Sequence, residues 1–168
     1  MATWTDFHPT RLLSRLVAAE VDFVIVGGVA VVLQAQPRFT KDLDICYASD
    51  PTNLDRLGGV LTALHARLRG IDEDLPFVAD ARALRQTQIL TLSTDEGEID
   101  LLVDPSGAPS YPDLRARADL VDLDGVQVRV ASIEDLASMK RAAGRPQDLA
   151  DLDALEIARR RRGRRRRS

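Results

Sequence analysis

Hydrophobic and polar positions along the chain alternate between a helical and a strand-like period. In residues 9–20, Leu12, Leu13, Leu16 and Val17 recur at helical spacing, with Pro9 near the start. Phe23 to Val26 is a short apolar run ending at Gly27-Gly28, the pattern of a buried strand and its turn. Residues 29–35 resume as an apolar helix that Pro37 ends. Residues 42–47 alternate as a strand does. Residues 52–69 predict a longer helix with Leu54, Leu57, Leu61, Leu64 and Leu68 on one face, closed by Gly70.

Further on, 87–93 and 98–103 predict two strands joined by the polar turn 94–97. Residues 119–123 and 126–130 predict another pair, turned at Asp124-Gly125. Ser132 opens a helix with Asp135 in a capping-box position, and Pro146 marks the first turn of a last helix. No internal repeat is present. These elements predict an α/β (α+β) domain with a mixed sheet flanked by helices.

Composition narrows the picture. A chain of 168 residues, 45% hydrophobic and 29% charged, suits one globular domain with a real core. No stretch approaches the ~18 apolar residues of a membrane span, and Met1 to Phe7 show no secretory pattern. The single Cys46 excludes an internal disulfide and a cysteine-based zinc site. The expectation is a cytoplasmic protein with no membrane partner. The net charge of −3 hides an asymmetry. Residues 159–167 hold eight arginines, leaving fifteen Lys and Arg against all 26 acids in residues 1–158, a charge of −11. We therefore divide the chain into a domain, 1–158, and an Arg-rich tail, 159–168. The tail either extends the last helix, since Arg is a good helix former, or, as like-charge repulsion and Gly163 favour, frays.

Four groups of residues carry candidate chemistry. Asp42 and Asp44, two apart on a strand, point to one face. Two adjacent carboxylates repel unless one is protonated or a cation compensates, and a divalent metal is the usual cation. For the pair alone, a solvent-facing edge strand is the plainer explanation. Gly27 and Gly28 let the backbone approach a ligand at a helix N-terminus, where an anion is favoured. An ordinary strand-to-helix turn is the plainer explanation. The pair lacks the later residues of a Walker loop or a dinucleotide fingerprint.

Asp100 shares a strand face with Glu98, and would complete a three-carboxylate cluster if its strand lies beside the first. Otherwise both acids simply face water. Lys140 falls on the inward stripe of its helix with Ile133, Leu136 and Ala137, where it either snorkels to the rim or holds an anion. Arg38, Thr40 and Lys41 precede the Asp pair, placed either to reach phosphate or to serve as ordinary loop residues. His8 and His65 form no catalytic arrangement with any Ser, Cys or Asp, and His65 falls among helix residues.

Taken together, an apolar strand, Gly27-Gly28, thirteen residues and Asp42-Leu43-Asp44-Ile45 resemble the signature of the polymerase-β-like nucleotidyltransferase superfamily. Within it the chain looks most like the AbiEii/MenT-type toxins. That likeness rests on Gly27-Gly28-Val29-Ala30, Arg38-Phe39-Thr40-Lys41-Asp42-Leu43-Asp44, Glu134-Asp135-Leu136-Ala137-Ser138-Met139-Lys140, and the segment from Gly144-Arg145-Pro146-Gln147-Asp148 to Asp151-Leu152, and spans residues 20 to 155.

The resemblance implies a minimal nucleotidyltransferase fold. It implies that Asp42, Asp44 and Asp100 hold two Mg²⁺ (or Mn²⁺) ions and that Gly27 and Gly28 cradle a nucleoside triphosphate. Arg38, Thr40 and Lys140 would form the nucleotide-binding set, with Arg38 and Lys140 contacting phosphate. Asp148 and Asp151 match polar positions after the Lys, and fit plain positions on the last helix equally well.

The reaction implied is in-line attack of an acceptor hydroxyl on the α-phosphate, releasing pyrophosphate, with Asp42, Asp44, Asp100 and Lys140 as catalytic residues. The expected acceptor is RNA, at the 3′ end of tRNA, in a toxin countered by an antitoxin protein. Alternatives are a small molecule, as in aminoglycoside nucleotidyltransferases, a protein side chain, or a non-enzymatic nucleotide-binding or interaction module.

Overall fold

A computed structural model describes residues 9–70 and 78–167; Met1 to His8 therefore lie outside the described residues. Helix α1, Pro9–Ala18, buries Leu12, Leu13 and Leu16, and strand β1, Phe23–Val26, is buried along its whole length. Helix α2, Gly27–Gln34, follows without a loop, and strand β2 is Asp42–Tyr47. Helix α3 is Pro51–Ala63, β3 is Arg67–Leu68, and α4 is Ala81–Arg85. Strands β4, Ile89–Thr94, and β5, Gly97–Leu102, form a hairpin. After α5, Tyr111–Arg117, come β6, Asp119–Leu123, and β7, Val126–Val130. Helices α6, Ile133–Ala143, and α7, Pro146–Arg165, complete the chain.

The seven strands form one mixed sheet in the order β3-β4-β5-β2-β1-β7-β6. β2 lies at its centre, antiparallel to β1 and parallel to β5. Leu43 and Ile45 of β2 and Ile99 and Leu101 of β5 are fully buried in the same core as α1 and α3. The alternate residues of these strands are therefore left for the other face. There α2 packs with α6 and α7.

The mixed α/β architecture matches the expectation, and two element boundaries do not. The helix expected over 52–69 stops at Ala63, and the segment reverses into β3. His65 takes a left-handed backbone (φ 50°), while His65 N–H donates to Thr62 O and Ala66 N–H to Leu61 O. That is a Schellman closure. Glu20 (φ 57°) ends α1 in the same way, with Val21 N–H donating to Leu16 O. Neither position is a glycine, so the sequence carries no stop signal there. His65 is thus a turn residue rather than a helical one, and its Nδ1 lies 2.6 Å from Asp95 at the surface. The short helices α4 and α5 were not predicted; Asp80 and Ser110 cap them through their side chains.

The Arg-rich segment continues the last helix. α7 runs helically through Gly163 to Arg165, the extension that the good helix propensity of Arg allows. Hydrogen bonds from Arg159 and Arg160 hold the Glu156 carboxyl down at about 2, and Arg162 donates to Gln34 Oε1 at 2.5 Å. These partners offset part of the like-charge repulsion.

Candidate active site

The site forms where β1 ends. Register pairs Val26 with Asp44 across β1 and β2, and Asp44 with Asp100 across β2 and β5; Asp42 pairs with Glu98 one step along. Four carboxylates from two parallel strands thus share one face. The parallel pairing of β2 with β5 decides this, and it brings Asp100 beside the Asp42/Asp44 pair.

Gly27 sits directly beyond Val26 with φ +66°. A Cβ there would overlap the Asp44 carboxylate. A Cβ on Gly28 would stand 2.8 Å from Arg38 Nη2 and 2.8 Å from Thr40 Oγ1. The two glycines therefore clear space for the acid on one side and for the Arg38-Thr40 loop on the other. Thr40 Oγ1 donates to Asp42 O at 3.2 Å, tying that loop to the start of β2.

The charges are unevenly compensated. Burial, then Asp42 and Asp100, push the Asp44 carboxyl up from 3.8 to about 7, with Lys140 opposing. Burial also raises Asp100, against the pull of Arg69. Arg69 was not anticipated. Its Nη2 contacts Asp100, its Nη1 donates to Glu98 Oε2 at 2.9 Å, and Asp42 Oδ2 lies 3.6 Å from Nη1.

Lys140, on the inward face of α6, is 7% exposed and does not snorkel. Its Nζ lies 3.1 Å from Asp148 Oδ1 and 2.9 Å from Asp151 Oδ2. Arg38 Nη2 donates to the same Asp151 oxygen at 3.0 Å. Asp148 and Asp151 are 0% and 2% exposed, so they are buried partners of the two cations and not decoration of the last helix. Burial alone would raise Asp148, but hydrogen bonds from Arg145 and Lys140 outweigh it and hold the carboxyl at about 2.

Gly27, Gly28, Arg38, Thr40 and Lys41 line one open cleft of about 780 Å³, and so do Asp42, Asp44, Asp100 and Lys140. Ile89, Leu102, Pro105 and Met139 give it an apolar wall. The volume is that of a small-molecule site. His65 does not line it, and Cys46 is a buried residue whose thiol burial pushes up to about 12. Such a thiol is not a nucleophile at neutral pH.

The donor set suits a hard divalent cation, because all its ligating atoms are carboxylate oxygens. The repulsion that raises Asp44 is the charge imbalance a dication would relieve. Among the described residues, no three carboxylate, histidine or cysteine side chains stand in a ready metal-binding group. At Asp42, Glu98 and Asp100 the oxygens face the Arg69 guanidinium instead.

Comparison with solved structures places this geometry in a known fold. The lincosamide antibiotic adenylyltransferase LnuA, solved with lincomycin, aligns over 92% of this chain and 97% of its own at 14% identity, TM-score 0.61. ANT(2″)-Ia, solved with adenylyl-2″-tobramycin, aligns over 93% of this chain and 95% of its own at 15% identity, TM-score 0.54. An antigenic nucleotidyltransferase-like protein from Paracoccidioides brasiliensis aligns over 87% of this chain and 72% of its own at 18% identity, TM-score 0.53. At these identities the likeness is one of fold. No curated protein matches the sequence, and no described helix is long and apolar enough to cross a membrane. The family model described as "nucleotidyltransferase of unknown function (DUF6036)" matches residues 11–161, nearly the whole chain, and the protein is a nucleotidyltransferase of that family.

Proposed function

We propose that this chain moves a nucleoside monophosphate from a nucleoside triphosphate to an acceptor hydroxyl. The observation that carries the reading is the row Asp44-Asp100, with Asp42 one step along, beside the Gly27-Gly28 turn and facing one cleft with Lys140 and Arg38. Asp42, Asp44 and Asp100 are the residues that would hold Mg²⁺ or Mn²⁺, which when bound stabilises charge on the transferring phosphoryl group. Gly28 and the N-terminus of α2 offer backbone N–H groups to the triphosphate. Lys140 and Arg38 offset phosphate charge at the position their shared Asp151 fixes. Asp100, on the side of the cluster nearer β4, accepts the acceptor's proton.

For the acceptor we propose RNA, at the 3′ end of tRNA, in an AbiEii/MenT-like toxin restrained by an antitoxin protein. Support comes from the motif likeness and from the helical Arg segment of α7, a basic surface suited to phosphates. That segment begins about 18 Å along the helix from Gln147 at the cleft, at 1.5 Å per residue, so it would touch the body of a long polyanion and not the reacting end.

A small-molecule acceptor is the second reading. It is favoured by fold likeness to two antibiotic-modifying enzymes over nearly their full length. The acidic body would also suit a cationic acceptor.

The test is incubation with Mg²⁺ and each labelled triphosphate, offered total tRNA, a panel of aminoglycosides and lincosamides, or a protein extract, with Asp42→Ala/Asp44→Ala alongside. Label on tRNA from the unaltered chain only supports the first reading. Label on an antibiotic only replaces it with the second, and label on protein replaces both. No transfer, together with no metal-dependent triphosphate binding, leaves a non-enzymatic module.

A further inference from the structure

Arg69 enters the site by an indirect route. β3 is two residues long, at the sheet edge, and Arg69 N–H donates to Thr91 O at 3.0 Å just past its end. Thr91 pairs with Asp100, and Asp100 with Asp44. Arg69, just past β3, thus continues a row formed by Thr91, Asp100 and Asp44 across β4, β5 and β2. From the edge, the Arg69 side chain reaches over Thr91 to Asp100 and Glu98.

The seat is incomplete for a guanidinium. Both terminal nitrogens engage carboxylates, but Arg69 Nε is buried with no hydrogen-bond partner among the described residues. Nor is Asp44 among its contacts. One positive charge therefore serves three carboxylates and leaves the fourth, Asp44, without it. A dication on the same oxygens would carry more charge. It could not share them with Arg69, because like charges at this range repel.

Resting on the nucleotidyltransferase reading above, we propose that Arg69 is a built-in counter-cation of the carboxylate cluster, which competes with the divalent metal for Asp42 and Asp100 and so sets the metal affinity of the site. Arg69 keeps the cluster folded and compensated without metal, and must leave Asp100 for metal to enter. It is a positioning residue, acting through the carboxylates. The competition is reciprocal, since whatever Arg69 costs the metal, bound metal costs Arg69.

Two measurements on the full chain test this without activity. The first titrates Mn²⁺ and reads free ion by electron paramagnetic resonance, for the unaltered protein, Arg69→Gln and Arg69→Lys. Arg69→Gln is expected to bind Mn²⁺ about tenfold more tightly, and Arg69→Lys to fall between, since one ammonium cannot bridge three carboxylates. Affinity equal to or weaker than that of the unaltered chain, with an unchanged circular dichroism spectrum, overturns the proposal.

The second measurement needs no variant, and decides the matter if Arg69→Gln does not fold. Phenylglyoxal modification of Arg69, mapped by peptide mass, should rise severalfold with saturating Mn²⁺. Unchanged or lower modification overturns the proposal. Equal Mn²⁺ affinity of all three proteins, with nucleotidyl transfer intact, removes this inference and leaves the proposed function standing. Failure of all three to bind Mn²⁺, with or without triphosphate, removes both.

Discussion

Gly27 and Asp44 occupy one space: the hydrogen of the glycine faces the carboxylate, and a Cβ at that position would overlap it. Since Gly27 also has φ +66°, a side chain there would be strained as well as crowded. Gly27→Ala should therefore destabilise the fold by about 1–3 kcal/mol. It should also displace Asp44 and abolish nucleotidyl transfer. Urea unfolding measures the first effect and the labelled-triphosphate assay the second. A variant with unaltered stability and transfer would show that the turn relaxes freely.

Lys140 depends on two buried acids. Asp148→Ala removes one of them and leaves Lys140 and Arg145 short of a partner. Breaking a buried pair from one side costs about 3–5 kcal/mol, and urea unfolding near neutral pH should show a loss of that order. Because Asp148 is held at about 2, below its ordinary 3.8, its contribution is present above pH 3.8 and is lost as pH falls toward 2. The gap between unaltered and Asp148→Ala proteins should narrow over that acid range.

Asp44 has the opposite sign. Its folded-state value, about 7, lies above the ordinary 3.8, so the folded chain binds the extra proton between these values. Stability attributable to Asp44 is then greatest below pH 3.8 and falls as pH rises to 7. Metal-free unfolding of the unaltered chain and Asp44→Asn, which mimics the protonated acid, across pH 4–8 should show the variant gaining stability over the unaltered chain up to pH 7 and keeping a level advantage beyond it. Added Mg²⁺ should stabilise the unaltered chain more at pH 8 than at pH 6. A flat difference would mean that Asp44 is already compensated.

The helical Arg segment gives a fourth expectation. If α7 carries phosphate contacts, deleting residues 159–168 should weaken tRNA binding and flatten its salt dependence. Each lost contact should lower the slope by about 0.7–0.9. Filter binding at several salt concentrations reads the slope. An unchanged slope would remove the tail from the RNA reading while leaving the chemistry of the cleft untouched.

Much of the site is legible locally because local rules generate it. Asp42 and Asp44 share a face by strand geometry alone, Gly27-Gly28 follows an apolar strand, and Lys140 lies on the apolar stripe of a helix whose cap, Ser132, is written in the sequence. Hairpins such as β6-β7 are equally local, their turn carried by Asp124 and Gly125 at positive φ.

The tertiary structure decided the rest, because the deciding contacts join residues far apart in the chain. Whether Asp100 meets Asp44 depends on β5 lying parallel beside β2, and no residue of either strand encodes its neighbour. Asp148 and Asp151 look like exposed helix positions until α7 packs against α6 and buries them on Lys140 and Arg38. Arg69 was hidden by a periodicity that continued past the true helix end, where His65 supplies a left-handed turn without glycine. Sequence by itself determined the alternation of elements and the residue types of the carboxylate face; strand order, register and helix packing determined which charges meet.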